Sequence, residues 1–170
     1  MFRVFLGLGS NVGDRLGYLA RAVDGLAAIL HVSAESSVYE TEPVGFKNQT
    51  DFLNMVVEGT SADKPRVLLR KLKVLEERSG RTRKNHMKPR EIDVDILLYE
   101  GITYSDDRVT VPHPELEHRR FVLEPLAEIA PTVKHPVHGL TAGEMLRRCR
   151  DAGRVTRIGT VRPVRHERIS

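Results

Sequence analysis

The chain has 170 residues, which is about one domain at roughly 150 residues each, and a domain of this size can bury about 70% of its unfolded surface and fold without staples. With 40% hydrophobic and 29% charged residues, the composition is that of a soluble globular protein and excludes a disordered or fibrous one. The net charge of +4 resides in the tail from Arg154 to Ser170, which carries five arginines against the single acid Glu167, so residues 1–153 sum to zero.

The sequence has one cysteine, Cys149, so an internal disulfide or a cysteine-rich zinc site is excluded, and no apolar run approaches the roughly 18 residues of a membrane span. The N-terminus, MFRVFLGLGSN, has neither a basic leader nor a cleavage site. A reducing, cytoplasmic setting is the expectation.

Residues 2–9 predict a first strand that runs into a Gly/Ser/Asn turn. From Asp14 to about Leu30, apolar residues recur at three- and four-residue spacing and predict a helix with one buried stripe. Residues 32–40 suit a strand, TEPVGFKNQTD a loop, and 52–60 a strand again. Asp63 is positioned to cap a second helix with Pro65 in its first turn, and Gly80 to end it. A basic loop from Arg78 to Arg90, with six Lys/Arg and no acid, leads to a strand over 90–100. Such runs are solvated loops or they meet phosphates. ITY (102–104) and VTV (109–111) form a small hairpin, and 121–130 and 141–150 two further helices. The tail alternates weakly and is either an edge strand or a disordered arm.

Strand, helix, strand, strand, helix, strand is the order of a ferredoxin-like βαββαβ core, an α+β fold with an antiparallel sheet. The hairpin and C-terminal helices extend it into an α/β/α arrangement. The organisation expected is one folded domain over 1–153, which would hold any site, and a basic tail over 154–170.

The most informative local feature is Asp93-Val94-Asp95 in an apolar strand. Side chains alternate across a strand, so Ile92, Val94 and Ile96 share one face while Asp93 and Asp95 share the other, about 7 Å apart. Two carboxylates on a buried face need positive compensation. Either neighbouring arginines such as Arg90 supply it, or magnesium does, two ions being able to bridge a transferring phosphate. Arg81, Arg83, Lys84, Lys88 and Arg90 just upstream, with Arg108, His113, Arg119 and Arg120 downstream, suit a polyanion. No GxxxxGK[ST] loop occurs, and the GLG at 7–9 is not a dinucleotide fingerprint. Phe52 and Asn54, two apart on a strand, offer an apolar plate and a paired donor and acceptor to a flat heterocycle, or else pack in the core and bond a turn. His113, His135 and His138 lie near prolines, and no HExxH spacing favours zinc.

Four segments together resemble one family: LGLGSNVGDR (6–15), VYETEPVGFKNQTDFLN (38–54), RTRK…KPREIDVDILLY (81–99) and VPHPELEHRRFVLEPLAEIAP (111–131) look like the 6-hydroxymethyl-7,8-dihydropterin pyrophosphokinases of the folate pathway. The resemblance implies transfer of diphosphate from ATP to the hydroxymethyl group of a dihydropterin, with attack on the β-phosphorus and release of AMP. It implies two magnesium ions on Asp93 and Asp95, with Arg81 and Arg90 catalytic beside them. Pterin contacts map onto Thr41, Glu42, Val44, Phe52, Asn54 and Phe121. ATP contacts map onto Glu76, Arg83, Lys84, Ile96, Arg108, Thr110, His113 and Arg119. The family commonly has Trp-Gly before the Pro-Arg pair, where this chain has Met87-Lys88.

The expected partners are ATP and the pterin, with no nucleic acid and no membrane. A monomer is expected, with a dimer left open. A metal-dependent nucleotidyltransferase or phosphohydrolase would use the same acids and arginines without a pterin pocket. An RNA-binding ferredoxin-like domain would use the basic loop and tail, although the chain has only 5 Phe, 4 Tyr and no Trp and lacks the aromatic-rich pattern of such domains.

Overall fold

The computed structural model describes residues 1–44, 48–82 and 89–161. The elements follow the chain as β1 (Phe2–Ser10), α1 (Arg15–Leu26), β2 (His31–Glu35), β3 (Val38–Thr41), β4 (Phe52–Ser61), α2 (Pro65–Arg78), β5 (Asp93–Tyr99), β6 (Tyr104–Ser105), β7 (Thr110–Val111), α3 (Arg120–Ile129), α4 (Ala142–Arg148) and β8 (Val155–Gly159). The main sheet runs β5-β1-β4-β3-β8, with β2 also on β4, and every pairing is antiparallel. β6 and β7 form the separate hairpin. This is the expected α+β ferredoxin-like core with its C-terminal additions.

Alternation along the strands divides the core in two. Val4, Leu6 and Leu8 of β1, with Met55, Val57, Val94 and Ile96, face α1 and α2 and meet Leu19, Val23, Leu26, Leu68 and Leu72. Phe5, Val56 and Leu97 point the other way, to Leu123 and Leu126 of α3 and Met145 of α4. Each fully buried leucine of this kind contributes about 1.5–3 kcal/mol relative to leaving it in water. Helices therefore cover both faces. None among the described residues is long and apolar enough to cross a membrane.

Three local expectations need correction. The strand expected over 32–40 is two strands, because Ser36 interrupts it: its hydroxyl donates to the Ser37 carbonyl (2.7 Å) and accepts the Val56 N–H (2.8 Å). Helix α1 ends at Leu26, short of Leu30. Asp63 does not cap α2; Lys64 occupies that position without a side-chain bond, and Pro65 opens the helix. The Asp63 carbonyl accepts from the Tyr99 hydroxyl (3.0 Å) and its carboxylate pairs with Lys71 (2.6 Å), which holds it one residue too early. Asp14 does cap α1, accepting the Gly17 N–H at 3.0 Å.

Candidate active site

Three adjacent strands build the floor of the site. β1 lies between β5 and β4, and its register sets Gly7 between Asp95 and Val56, and Gly9 between Asp93 and Asn54. One step further, Phe52 lies opposite Thr41 of β3. All of these residues point to the α3 side of the sheet. With no side chains on Gly7 and Gly9, the centre of that face is open, and the acids of β5 look across β1 towards the aromatic and amide groups of β4. A β-carbon on Gly9 would stand 2.6 Å from Asn54 Oδ1, and one on Gly7 would stand 3.2 Å from the Leu97 side chain. The result is a cavity of about 290 Å³, walled on its other side by His113, Arg119, Phe121 and Val122.

One end of this cavity suits a flat polar ring. Phe52 and Phe121 supply apolar surfaces, with Thr41, Glu42, Val44 and Gln49 around them. Asn54 Nδ2 donates to Thr41 Oγ1 at 2.7 Å, which fixes the amide and its polar edge. Each plate also carries a guanidinium, Arg90 lying 5.0 Å from the Phe52 ring centroid and Arg119 5.8 Å from that of Phe121, so the aromatic end grades directly into a cationic one.

At the other end stand the two acids. Asp93 is buried and paired with Arg81 (2.7 Å) and Arg90 (3.2 Å). The Asp95 carboxylate makes no hydrogen bond or ion pair among the described residues. Burial first, then the neighbouring Asp93, pushes its carboxyl up to about 7. Behind them, Glu76 of α2 accepts the Val94 N–H (2.9 Å) with one oxygen and Arg81 (3.0 Å) with the other. Burial pushes Glu76 above the usual carboxylate range, and the Val94 amide opposes it. Arg81 is thus a buried bridge between α2 and β5. His113 is held below the ordinary histidine value by burial and by Arg119, which keeps it neutral at pH 7. Its Nδ1 accepts the Glu115 N–H (3.1 Å), so Nε2 carries the proton and can donate.

Of the residues named from sequence, the cavity gathers Arg90, Asp93, Asp95, His113 and Arg119 with Thr41, Glu42, Val44, Phe52, Asn54 and Phe121. Glu76 and Arg81 lie behind it, and Ile96 points into the opposite core. Arg108 is exposed beside Asp107 (3.8 Å), and Thr110 sits on the hairpin with Ser105 (3.1 Å). Arg83, Lys84, Met87 and Lys88 lie outside the described residues.

Sequence reasoning did not identify Asn11. Its buried side chain accepts the Arg90 N–H (2.8 Å) and donates to Gln49 Oε1 (2.8 Å) and the Thr50 carbonyl (3.2 Å), while its own N–H donates to the Arg90 carbonyl (3.1 Å). One side chain therefore ties the end of the 81–90 segment to the end of the 42–51 connection. Gly7 and Gly9 were also passed over, the only signal for them being two glycines at alternate positions of a strand.

Comparison with known proteins shows the family. Residues 5–131 match the family model for 7,8-dihydro-6-hydroxymethylpterin-pyrophosphokinase (HPPK). The chain is 45% identical over 138 residues to the 2-amino-4-hydroxy-6-hydroxymethyldihydropteridine pyrophosphokinase of Aquifex aeolicus, covering 81% of this chain and 86% of that protein. It is 43% identical over 155 residues to the enzyme of the same name from Methylorubrum extorquens, covering 90% and 97%. Its fold is similar to that of the wild-type HPPK-DHPS of Plasmodium falciparum, with a TM-score of 0.69 at 16% identity over 86% of this chain; the match spans 44% of that longer chain. The chain belongs to the 7,8-dihydro-6-hydroxymethylpterin-pyrophosphokinase family.

Proposed function

We propose that this protein transfers the terminal diphosphate of ATP to the hydroxymethyl group of 6-hydroxymethyl-7,8-dihydropterin, giving AMP and the pterin diphosphate, as a cytoplasmic monomer of folate biosynthesis. The observation that carries the reading is a single cavity joining an aromatic platform with a fixed amide to a pair of acids ringed by arginines. A phosphohydrolase that acts on the polyphosphate alone has no use for that platform, and a nucleotidyltransferase would place a nucleobase rather than a pterin on it. RNA-binding ferredoxin-like domains use aromatics on an open sheet face, whereas helices cover both faces here.

In this reading the pterin ring lies between Phe52 and Phe121, its polar edge on Asn54, and its hydroxymethyl arm towards β5. Arg90 and Arg119 clamp the phosphate oxygens, and the neutral His113 donates from Nε2. The resemblance alone assigns further ATP contacts to Glu76, which lies behind the cavity, to Ile96, which faces the opposite core, to Arg108 and Thr110, which lie outside it, and to Arg83 and Lys84.

Asp93 and Asp95 would hold the two magnesium ions. Their donors are hard oxygens of the kind magnesium prefers, and the Asp95 carboxylate has no hydrogen-bond or ion-pair partner among the described residues. Bound there, magnesium neutralises the polyphosphate and polarises the β-phosphoryl group. Asp93 can serve while paired, because each carboxylate oxygen keeps a second lone pair beyond the one facing Arg81 or Arg90.

The hydroxyl oxygen then forms a bond to the β-phosphorus as the bond to the α–β bridging oxygen breaks. AMP leaves with that oxygen, and the hydroxyl proton passes to water. A loose transition state asks little of the nucleophile, so the work of the chain is positioning and charge neutralisation. The test is an AMP-release assay in which each component is omitted in turn. Release that requires both the pterin and magnesium is the expected result. Release without pterin would favour a phosphohydrolase, and none under any condition would favour a binding protein.

A further inference from the structure

The family match ends at residue 131, yet the chain returns to the site beyond it. β8 pairs with β3 so that Val155 lies opposite Thr41, which brings Arg154 beside Glu42. The Arg154 N–H donates to Glu42 Oε1 at 2.6 Å, and its carbonyl accepts the Glu42 N–H at 3.4 Å. Its guanidinium pairs with the Asp51 carboxylate. Glu42 and Asp51 are the first and last residues of the connection between β3 and β4, and their outer neighbours Thr41 and Phe52 both line the main cavity. One residue from the C-terminal segment therefore closes the base of the connection that borders the aromatic end.

The segment is itself anchored. Asp151 accepts the Arg120 N–H (3.1 Å) at the start of α3 and the Gly153 N–H (2.8 Å). Helix α3 carries Phe121, so the turn over 151–154 links the helix bearing one aromatic plate to the loop ends beside the other. A second cavity of about 360 Å³ lies along this link and is bordered by Glu42, Phe121, Asp151 and Arg154.

We propose that Arg154 is a positioning residue for the pterin subsite, fixing the two ends of the 42–51 connection and through them the separation of Phe52 from Phe121. The assignment rests on the pterin reading above. Without the Arg154–Asp51 pair, Asp51 and the adjoining Phe52 gain conformational freedom that pterin binding must then remove, while the backbone bonds of Arg154 to Glu42, the acid pair and the phosphate-facing arginines are untouched.

The test measures pterin and ATP binding by calorimetry, steady-state AMP release and the unfolding midpoint for the wild type, Arg154→Ala, Arg154→Lys and Asp51→Asn. Because the Arg154 side chain is 59% exposed, the pair is screened, and a rise of about three- to fivefold in pterin Kd and KM is expected for Arg154→Ala. kcat and the ATP constants should stay within about twofold, Arg154→Lys should recover part of the affinity, and Asp51→Asn should reproduce the shift from the other side of the pair. An unchanged pterin Kd in folded Arg154→Ala and Asp51→Asn overturns the assignment. An equal loss for both substrates with a lowered midpoint also overturns it, since that marks general destabilisation. If the wild type binds pterin but releases no AMP, the activity reading fails and the binding shift still decides the role of Arg154; a wild type that binds no pterin overturns both.

Discussion

Gly9 and Asn54 face each other across the β1–β4 ladder with no room for a side chain on the glycine: a β-carbon there would stand 2.6 Å from Asn54 Oδ1. Asn54 cannot simply swing aside, because its Nδ2 is bonded to Thr41 Oγ1 at 2.7 Å. Gly9→Ala should therefore rotate the amide out of the plane it offers to a flat ring. The expected result by calorimetry is a loss of about tenfold in pterin affinity, with ATP affinity changed by less than about twofold. An unchanged pterin affinity would mean that Asn54 does not read the ring.

Asp95 links the chemistry to pH. Its folded-state value, pushed up to about 7, lies above the unfolded value near ~3.9, so between these limits the folded chain keeps a proton that the unfolded chain has lost. The stability it contributes is complete below about pH 4 and is lost as pH rises through about 7. Asp95→Asn removes this dependence. At pH 8 without magnesium, the variant should be more stable than the wild type by about 1–3 kcal/mol in denaturant unfolding, while AMP release falls by about a thousandfold or more. A variant that is less stable, or that still turns over, contradicts the placing of an uncompensated metal-binding carboxylate here.

Arg81 has only 7% of its side chain exposed, between Glu76 at 3% and Asp93 at 9%. Arg81→Ala leaves two buried carboxylates without that cation and should destabilise the metal-free protein by about 3 kcal/mol. If magnesium binds Asp93, it replaces part of the missing charge, so the deficit should shrink when magnesium and an ATP analogue are added. Unfolding midpoints with and without them provide the check, and a deficit indifferent to magnesium counts against Asp93 as a ligand.

What was legible in the sequence follows from the two-residue period of strands. Asp93 with Asp95, and Phe52 with Asn54, reach one face because alternation requires it, and both pairs line the same cavity. The helices were legible for the corresponding reason, although their ends were set by tertiary bonds such as that of Tyr99 to the Asp63 carbonyl. Asn11 was not legible: after Gly-Ser it reads as a turn residue, and its partners lie 38, 39 and 79 positions away. Gly9, in a GLG that is no dinucleotide fingerprint, has no legible role until the register sets it beside Asn54. For Thr110 only the family resemblance suggested a role, and for Arg108 the downstream cluster of cations did so as well; both lie on or beside the hairpin, outside the cavity.

The central claim is that two carboxylates on one strand hold the ions that hold the nucleotide. A crystal structure with manganese in place of magnesium, a non-hydrolysable ATP analogue and the pterin, with the metal located by its anomalous scattering, addresses it directly. The account requires metal peaks bonded to both Asp93 and Asp95, at about the 2.0–2.1 Å typical of magnesium sites or slightly more for the larger ion. Metal peaks elsewhere, with Asp93 bound only to Arg81 and Arg90 and Asp95 touching no ion, would contradict it.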